Sequence, residues 1–336
     1  MTNKPLLSIC IPTYNRSQYL RKALVSIASC EGLNYSEIEI CVSDNNSTDA
    51  TTDVVKEFSE DLRIKYFCQE KNLGFGMNFI KVVSMATGEF VWMIGDDDLL
   101  MTDSISKVVK MIESNNEVDF FYVNAFTTFN EDILNKEIYY RSEMEKSLEL
   151  FSKVKKSKIL PFYKLINPKY SHDLLGGIYL SVFRRNKWNK EVGQLGAYEF
   201  FVEDHFVNLQ NTFPHLIVFA AAFSESKAYY SAVPHILSYG AARNWAPLYP
   251  IVRSLRLIEA LDVYRANGLP ICNYLNFKNK LLKYFFLDLY FINKLPKHQA
   301  LELPTTKKMI GYFCYPNFFM SFLRLVYHLI KHRHRT

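Results

Sequence analysis

Between Leu6 and Val123 five short apolar runs alternate with helical patterns, and this alternation restricts the fold more than any other feature of the chain. Leu6 to Ile11, Ile38 to Val42, Ile64 to Phe67, Phe90 to Ile94 and Val118 to Val123 read as strands, the first stopped by Pro12. Between them, Leu20, Ala23, Leu24 and Ile27 share one helical face. A second helix starts near Ala50, behind a polar loop (Ser43 to Asp49) whose side chains can cap it, and Gly76 to Ala86 gives a third. Strands that are apolar throughout are covered on both faces, so the pattern predicts a parallel sheet between helices. Ligands of such sheets bind outside the carboxyl ends of the strands. The polar clusters Pro12 to Arg16, Asp44 to Ser47, Lys71-Asn72 and Asp96 to Asp98 follow strands one to four and fall on that edge.

The last cluster carries the chemistry. Three consecutive carboxylates repel one another, so the site needs a cation or a solvated turn. Hard oxygen ligands at a strand end suit Mg²⁺ or Mn²⁺, which keep open positions for substrate phosphates and so point to a nucleotide-linked substrate. The competing reading is an acidic helix cap.

With 336 residues, 49% apolar and 22% charged, the chain is globular and can bury a sizeable core. From Lys278 onward there are eleven Lys or Arg against two acids, so a tail of +9 follows a body near −3. The tail, rather than the body, is expected to meet an anionic partner. Its basic residues share helices with apolar faces, which argues for a lipid surface and against nucleic acid. No long uncharged apolar stretch and no signal-peptide pattern is present, so the sequence reads as cytoplasmic, peripheral on the inner face of the cell membrane. Six cysteines without metal spacing read as reduced thiols. The 26 Phe and 22 Tyr concentrate after residue 120, where a ligand groove or a membrane-facing surface would use them.

Beyond residue 125 the pattern is less regular. Lys153 to Lys158 is a basic run that reads as a solvated face or a contact to phosphate or lipid, and Leu174 to Leu180 reads as a glycine-kinked strand. Glu203 and Asp204 sit among aromatics, where a carboxylate needs solvent, a partner or a task. Residues 1–125 are expected to form a nucleotide-sugar-binding half, 126–250 an acceptor-binding half of the same catalytic domain, and 251–336 a helical membrane-surface region.

Taken together, Ser8 to Arg16, Val42 to Asp49, Asn72 to Asn78 and Gly95 to Asp98 resemble the inverting family-two glycosyltransferases. The likeness is strong over about residues 5 to 125 and weak through Glu203-Asp204 to near Trp245. It looks like the branch of O-antigen and capsule enzymes that includes abequosyltransferases. It implies a GT-A, Rossmann-like α/β fold, with a mostly parallel central sheet flanked by helices and a basic, aromatic-rich helical extension. It also implies transfer of one sugar from a nucleotide diphosphate sugar to a polyprenyl-diphosphate-linked glycan, with Mn²⁺ or Mg²⁺.

By the same resemblance, Pro12, Thr13, Tyr14 and Asn15 line the nucleotide pocket and Asp44 accepts from the base edge. Lys71, Asn72 and Gly76 border base and ribose, and Arg16 faces the diphosphate. Asp98 is the metal ligand, with Asp96 or Asp97 as the first acid of the motif. Asp204 is the base that takes the acceptor proton, Glu203 orients the acceptor, and His235 supplies a diphosphate or metal contact. Two other readings are a nucleotide-sugar pyrophosphorylase, which would bring a glycine-rich phosphate loop after strand one, and an inactive glycan-binding scaffold.

Overall fold

The computed structural model describes residues 4–34, 36–196, 206–242, 246–295 and 304–332. The first half alternates as expected: β1 (Leu7–Thr13), α1 (Ser17–Ala28), β2 (Ile38–Asp44), α2 (Thr51–Leu62), β3 (Ile64–Cys68), α3 (Phe75–Met85), β4 (Phe90–Met93), β5 (Asp98–Leu100), α4 (Ser104–Glu113) and β6 (Phe120–Thr128). Then follow β7 (Glu149–Leu150), β8 (Lys158–Pro161), β9 (Ser181–Arg184), α5 (Arg185–Glu191), α6 (Pro214–Ala222) and β10 (Lys227–Tyr239). They form one sheet in the order β3-β2-β1-β4-β9-β6-β10-β5, with β7 on β6 and β8 on β10. The ladders β3-β2-β1-β4 and β6-β10 are parallel. β9 inserts antiparallel between β4 and β6, so the central sheet is mostly parallel, as expected. β6 runs across residue 125, so the two expected halves share this sheet.

Pro12 does not end β1. Cys10 accepts from Ile94 on the β4 side, and by the two-residue period Pro12 faces the same side. The β4 ladder has already ended at Cys10 and Met93, so the missing N–H costs no bond and β1 continues to Thr13 beside Asp44. The glycine-kinked strand is also corrected. Residues 171–177 form tight turns in which Ser171 Oγ accepts from Leu175 N (2.7 Å) and Asp173 Oδ2 from Gly177 N (2.8 Å). Leu174 and Leu175 lie at positive φ, and the strand begins only at Ser181.

Most of the aromatic excess is core. Phe79, Phe120, Phe162, Phe183, Trp188, Phe219 and Phe223 pack between the sheet and α5–α6 with ring centroids 5.0–6.3 Å apart. The described residues after β10 are mostly helical: α7 (Leu257–Ala266), α8 (Ile271–Leu281), α9 (Phe285–Ile292) and α10 (Pro316–His332). No helix among the described residues is long and apolar enough to cross a membrane.

At the amino ends of the strands, opposite the polar edge, one carboxylate staples three strands. Glu39 of β2 is buried and accepts from Ser8 Oγ (2.5 Å), Thr87 Oγ1 (2.7 Å), Gly88 N (2.9 Å) and Lys65 Nζ. A Cβ on Gly88 would stand 2.5 Å from Ser8 Oγ, so only glycine allows this approach. Burial alone would raise the Glu39 pKa, but the donors from Lys65, Ser8 and Thr87 win and hold it at about 2, against an ordinary 4.5. Its stabilisation is therefore complete above pH 4.5 and lost as pH falls towards 2. Glu39→Gln is expected to cost about 2 kcal/mol at pH 7 and to flatten the stability profile below pH 4.5. Urea unfolding across that range is the check, and a variant as stable as the parent at pH 7 would remove the staple.

Candidate active site

The site assembles where β1, β2 and β4 end. Asn78 of α3 ties the first two strand ends together, its Nδ2 donating to Thr13 O (3.1 Å) and Ser43 O (2.9 Å) while its Oδ1 accepts from Ser43 Oγ (2.7 Å). Asn15 and Asn46 take left-handed φ values of 52° and 67°, a conformation that Asn tolerates. Asn15 thereby locks onto the neighbouring loop through Ser47 Oγ (2.8 Å) and Thr48 N (2.7 Å). Asn45 bridges to the next loop, donating to Asn72 Oδ1 (2.6 Å) and accepting from Leu73 N (2.9 Å). Four polar clusters far apart in sequence thus become one rigid rim.

The acid triplet is a curled turn after β4. Gly95 N donates to Asp98 Oδ2 (2.9 Å), and a Cβ on Gly95 would lie 2.8 Å from both Asp97 Oδ1 and Asp98 Oδ2. A side chain at this position would push the Asp97 and Asp98 carboxylates out of their present places. Asp96 is buried and accepts from Thr13 Oγ1 (2.8 Å). The Arg16 guanidinium lies between Asp96 (Nε to Oδ1, 2.9 Å) and Asp97 (Nη2 to Oδ2, 2.8 Å), the former an ion pair without a directed hydrogen bond. Burial pushes the Asp96 carboxyl up to about 7; Arg16 and Thr13 pull it down, and Asp97 adds to the rise. A side chain therefore relieves part of the repulsion in the triplet.

Arg16 also donates to Ala242 O (3.3 Å), which brings the chain after β10 to the site. β10 reaches there because Ser238 pairs with Asp98. Arg243, Asn244 and Trp245 come next and lie outside the described residues, as do the expected base Asp204 and its neighbour Glu203. The chain resumes after Asp204 under a firm clamp. Arg256, 2% exposed at the end of a π-helical stretch (Val252–Arg256), donates to Phe206 O (3.0 Å) and Val207 O (2.8 Å) and pairs with Glu259.

Of the remaining expected residues, Pro12 lies in β1, Tyr14 and Lys71 are exposed on the rim, and Gly76 is buried in the first turn of α3. Asp44 is fully buried, with Oδ1 accepting from Ser47 N (2.9 Å) and Oδ2 from Tyr66 OH (2.7 Å). Tyr66, Ser43, Asn45 and Asn78 were not singled out individually. The three polar residues stood within or beside the quoted motifs, whereas Tyr66 looked like any residue of an edge strand.

His235 is not brought to the acids, which corrects its expected place. It is buried beside Ser231, and the charges acting on it are Arg141, Asp103 and Lys107. No three His, Cys, Asp or Glu among the described residues converge as a closed metal cage. The donor set fits a divalent ion of the other kind, held by one or two hard carboxylates and completed by substrate phosphates. Asp98 and Asp96 would hold it.

Two buried imidazoles predict acid sensitivity. Burial lowers His215, stacked on Phe79, to about 4, and burial together with Arg141 lowers His235 to about 3. Both contribute full stability above the ordinary value of 6.5 and lose it as pH falls through that value towards 4. Stability is expected to drop by about 2 kcal/mol per histidine between pH 7 and 5. Denaturant unfolding at the two pH values tests this, and equal midpoints would contradict it.

A sheet of this order with an acid turn and an arginine on its carboxyl edge defines an α/β protein of the GT-A fold. A mannosyltransferase from Pyrobaculum calidifontis, solved with GDP-Man and Mn²⁺, is similar over 98% of this chain and 87% of its own, with a TM-score of 0.54 and 16% identity. S. aureus TarS 1-349 with UDP-GlcNAc is similar over 86% and 87%, with a TM-score of 0.53 and 15% identity. The description "Glycosyl transferase family 2" matches residues 8–175, half of the chain, and the chain belongs to that family. Abequosyltransferase RfbV of Salmonella typhimurium is 40% identical over 115 residues, 34% of each chain. The GalNAc(5)-diNAcBac-PP-undecaprenol beta-1,3-glucosyltransferase of Campylobacter jejuni is 30% identical over 190 residues, 56% of each chain. The matched region thus spans between a third and three fifths of these curated relatives.

Proposed function

We propose that this chain transfers one sugar, with inversion, from a nucleoside diphosphate sugar to a polyprenyl-diphosphate-linked glycan in surface polysaccharide synthesis. The carrying observation is the Thr13, Arg16, Asp96 and Asp97 network at the carboxyl edge of a family-two sheet. The relatives' names support the reaction class, one of them naming a lipid diphosphate acceptor. Mn²⁺ or Mg²⁺ at Asp98 and Asp96 would supply Lewis-acid stabilisation of the departing diphosphate. Arg16 supplies fixed positive charge beside it, and Asn15, Asn45 and Asn72 shape the pocket for base and ribose. Asp204 takes the proton of the acceptor hydroxyl on the face opposite the diphosphate, and Glu203 orients the acceptor.

Titrating UDP, dTDP, GDP and CDP by calorimetry, each with Mn²⁺ and then EDTA, tests the donor site. One nucleotide should bind only with metal, and Asp98→Asn should abolish that binding. Failure of all four would overturn the assignment.

The acceptor's lipid implies a membrane surface, for which α10 is suited. Phe318 and Ser321 pack inward, whereas Phe319, Leu323, Tyr327 and Ile330 leave at least half of their surface open on one face of the helix, and the sequence that follows Ile330 is basic. Deleting residues 315–336 should release the protein from phosphatidylglycerol vesicles; unchanged sedimentation would remove this role.

A further inference from the structure

A cleft of about 310 Å³ opens between the C-terminal half of α4 and the middle of β10. Its lining includes Lys107, Lys110, Ser114, Ser157, Ser231 and His235. It is separate from the donor site: His235 lies three residues before Ser238, the partner of Asp98, which is roughly 10 Å along the strand. β10 is irregular here, with register shifts between Tyr230 and Ile236, so its backbone bulges at the cleft wall. Bulges of this kind re-aim side chains next to sites.

Three features of this cleft are unused by the reaction described above. Asp103 pairs with Lys107 (2.6 Å) and Arg141 (2.5 Å), but Lys110 has no ion-pair partner among the described residues. Ser157 Oγ accepts from Ala232 N (2.9 Å), which fixes the basic run of Lys153, Lys155, Lys156 and Lys158 beside the bulge. His235 is 2% exposed, and its Nε2 meets Ser231 Oγ at 3.2 Å while its Nδ1 has no partner. A buried ring nitrogen left in this state is costly unless a ligand completes it.

We propose that this cleft binds the phosphate group of a second ligand, distinct from the sugar donor. Lys110 is the counter-charge, the Ser114 and Ser157 hydroxyls are donors, and His235 in its Nδ1–H tautomer, its Nε2 accepting from Ser231, supplies a buried donor. Lysine binds phosphate as a point charge and hydroxyls fix its orientation, so the lining fits a tetrahedral oxyanion better than a flat carboxylate, for which a bidentate arginine is the usual match. Burial first, then Arg141 and Lys107, push the imidazole towards its neutral form and Asp103 opposes them, so the ring enters as a neutral donor.

The test titrates inorganic pyrophosphate into the full chain in EDTA, which suppresses metal-dependent binding at Asp96 to Asp98, while the His235 ring resonances are followed by NMR. Those resonances should shift, Lys110→Glu should weaken binding by about tenfold, and Asp98→Asn should leave it unchanged. Metal-dependent nucleotide binding by Lys110→Glu confirms that the donor site is intact. Equal affinity in parent and Lys110→Glu, or loss of affinity in Asp98→Asn, would overturn the proposal. Phosphatidylglycerol vesicles identify the source of the phosphate. Vesicle binding that depends on Lys110 assigns it to a lipid headgroup, and vesicle binding indifferent to Lys110 beside pyrophosphate binding assigns it to a soluble ligand.

Discussion

Asp204→Asn is expected to lower turnover by about 10²–10⁴-fold, the usual contribution of a general base, while metal-dependent nucleotide binding stays unchanged. The amide keeps the size and polarity of the carboxylate but cannot accept the acceptor proton, so only the chemical step suffers. Donor binding is left alone because it is built from β1, β2 and β4. Position matters as much as basicity: the chain two residues beyond Asp204 is held by the buried Arg256 through Phe206 O and Val207 O. Steady-state kinetics with calorimetry of the same variant decide the matter. Turnover equal to the parent's would remove Asp204 as base, and lost nucleotide binding would place it in the donor pocket instead.

Arg16→Met is expected to be the most damaging change to the donor edge. It keeps an unbranched apolar stem but removes the guanidinium that lies over the Tyr19 ring (4.7 Å) and between Asp96 and Asp97. Leaving a buried carboxylate without its partner costs several kcal/mol in general, and here about 2 kcal/mol because the guanidinium is a quarter exposed. The effect carries a pH signature. The Asp96 carboxyl already titrates near 7, above its ordinary 3.8, so its folded form favours the proton and stability falls as pH rises through that value. Without Arg16 this pKa rises further, and the variant should be close to the parent at pH 5 but clearly weaker at pH 9. Thermal unfolding at both values tests this; a deficit independent of pH would mean that Arg16 acts by packing alone.

The polar edge of the sheet was readable in the sequence because its causes are local. Each buried strand needs a compact apolar run, and each run must end where the backbone turns into solvent, so Thr13, Asp44 and Asp96 could be placed on one edge from order alone. The second half was harder for a physical reason. β9 pairs antiparallel with strands 60 and 90 residues away in the chain, and nothing in four residues, Ser181 to Arg184, announces that partner. Long-range pairing also set the fate of His235. Its position in sequence suggested a ligand, but the register that puts Ser238 opposite Asp98 leaves it further back, in another cleft.

By itself, then, the sequence determined the alternating architecture and the polar edge with the acids on it, since hydrophobic period and turn residues act over a few positions. Tertiary structure alone decided that Arg16 pairs with those acids, that Tyr66 holds Asp44, and that the aromatics fill a core. The polar contacts among these join side chains 22 to 81 positions apart in the chain, where distance along the sequence says nothing about distance in space.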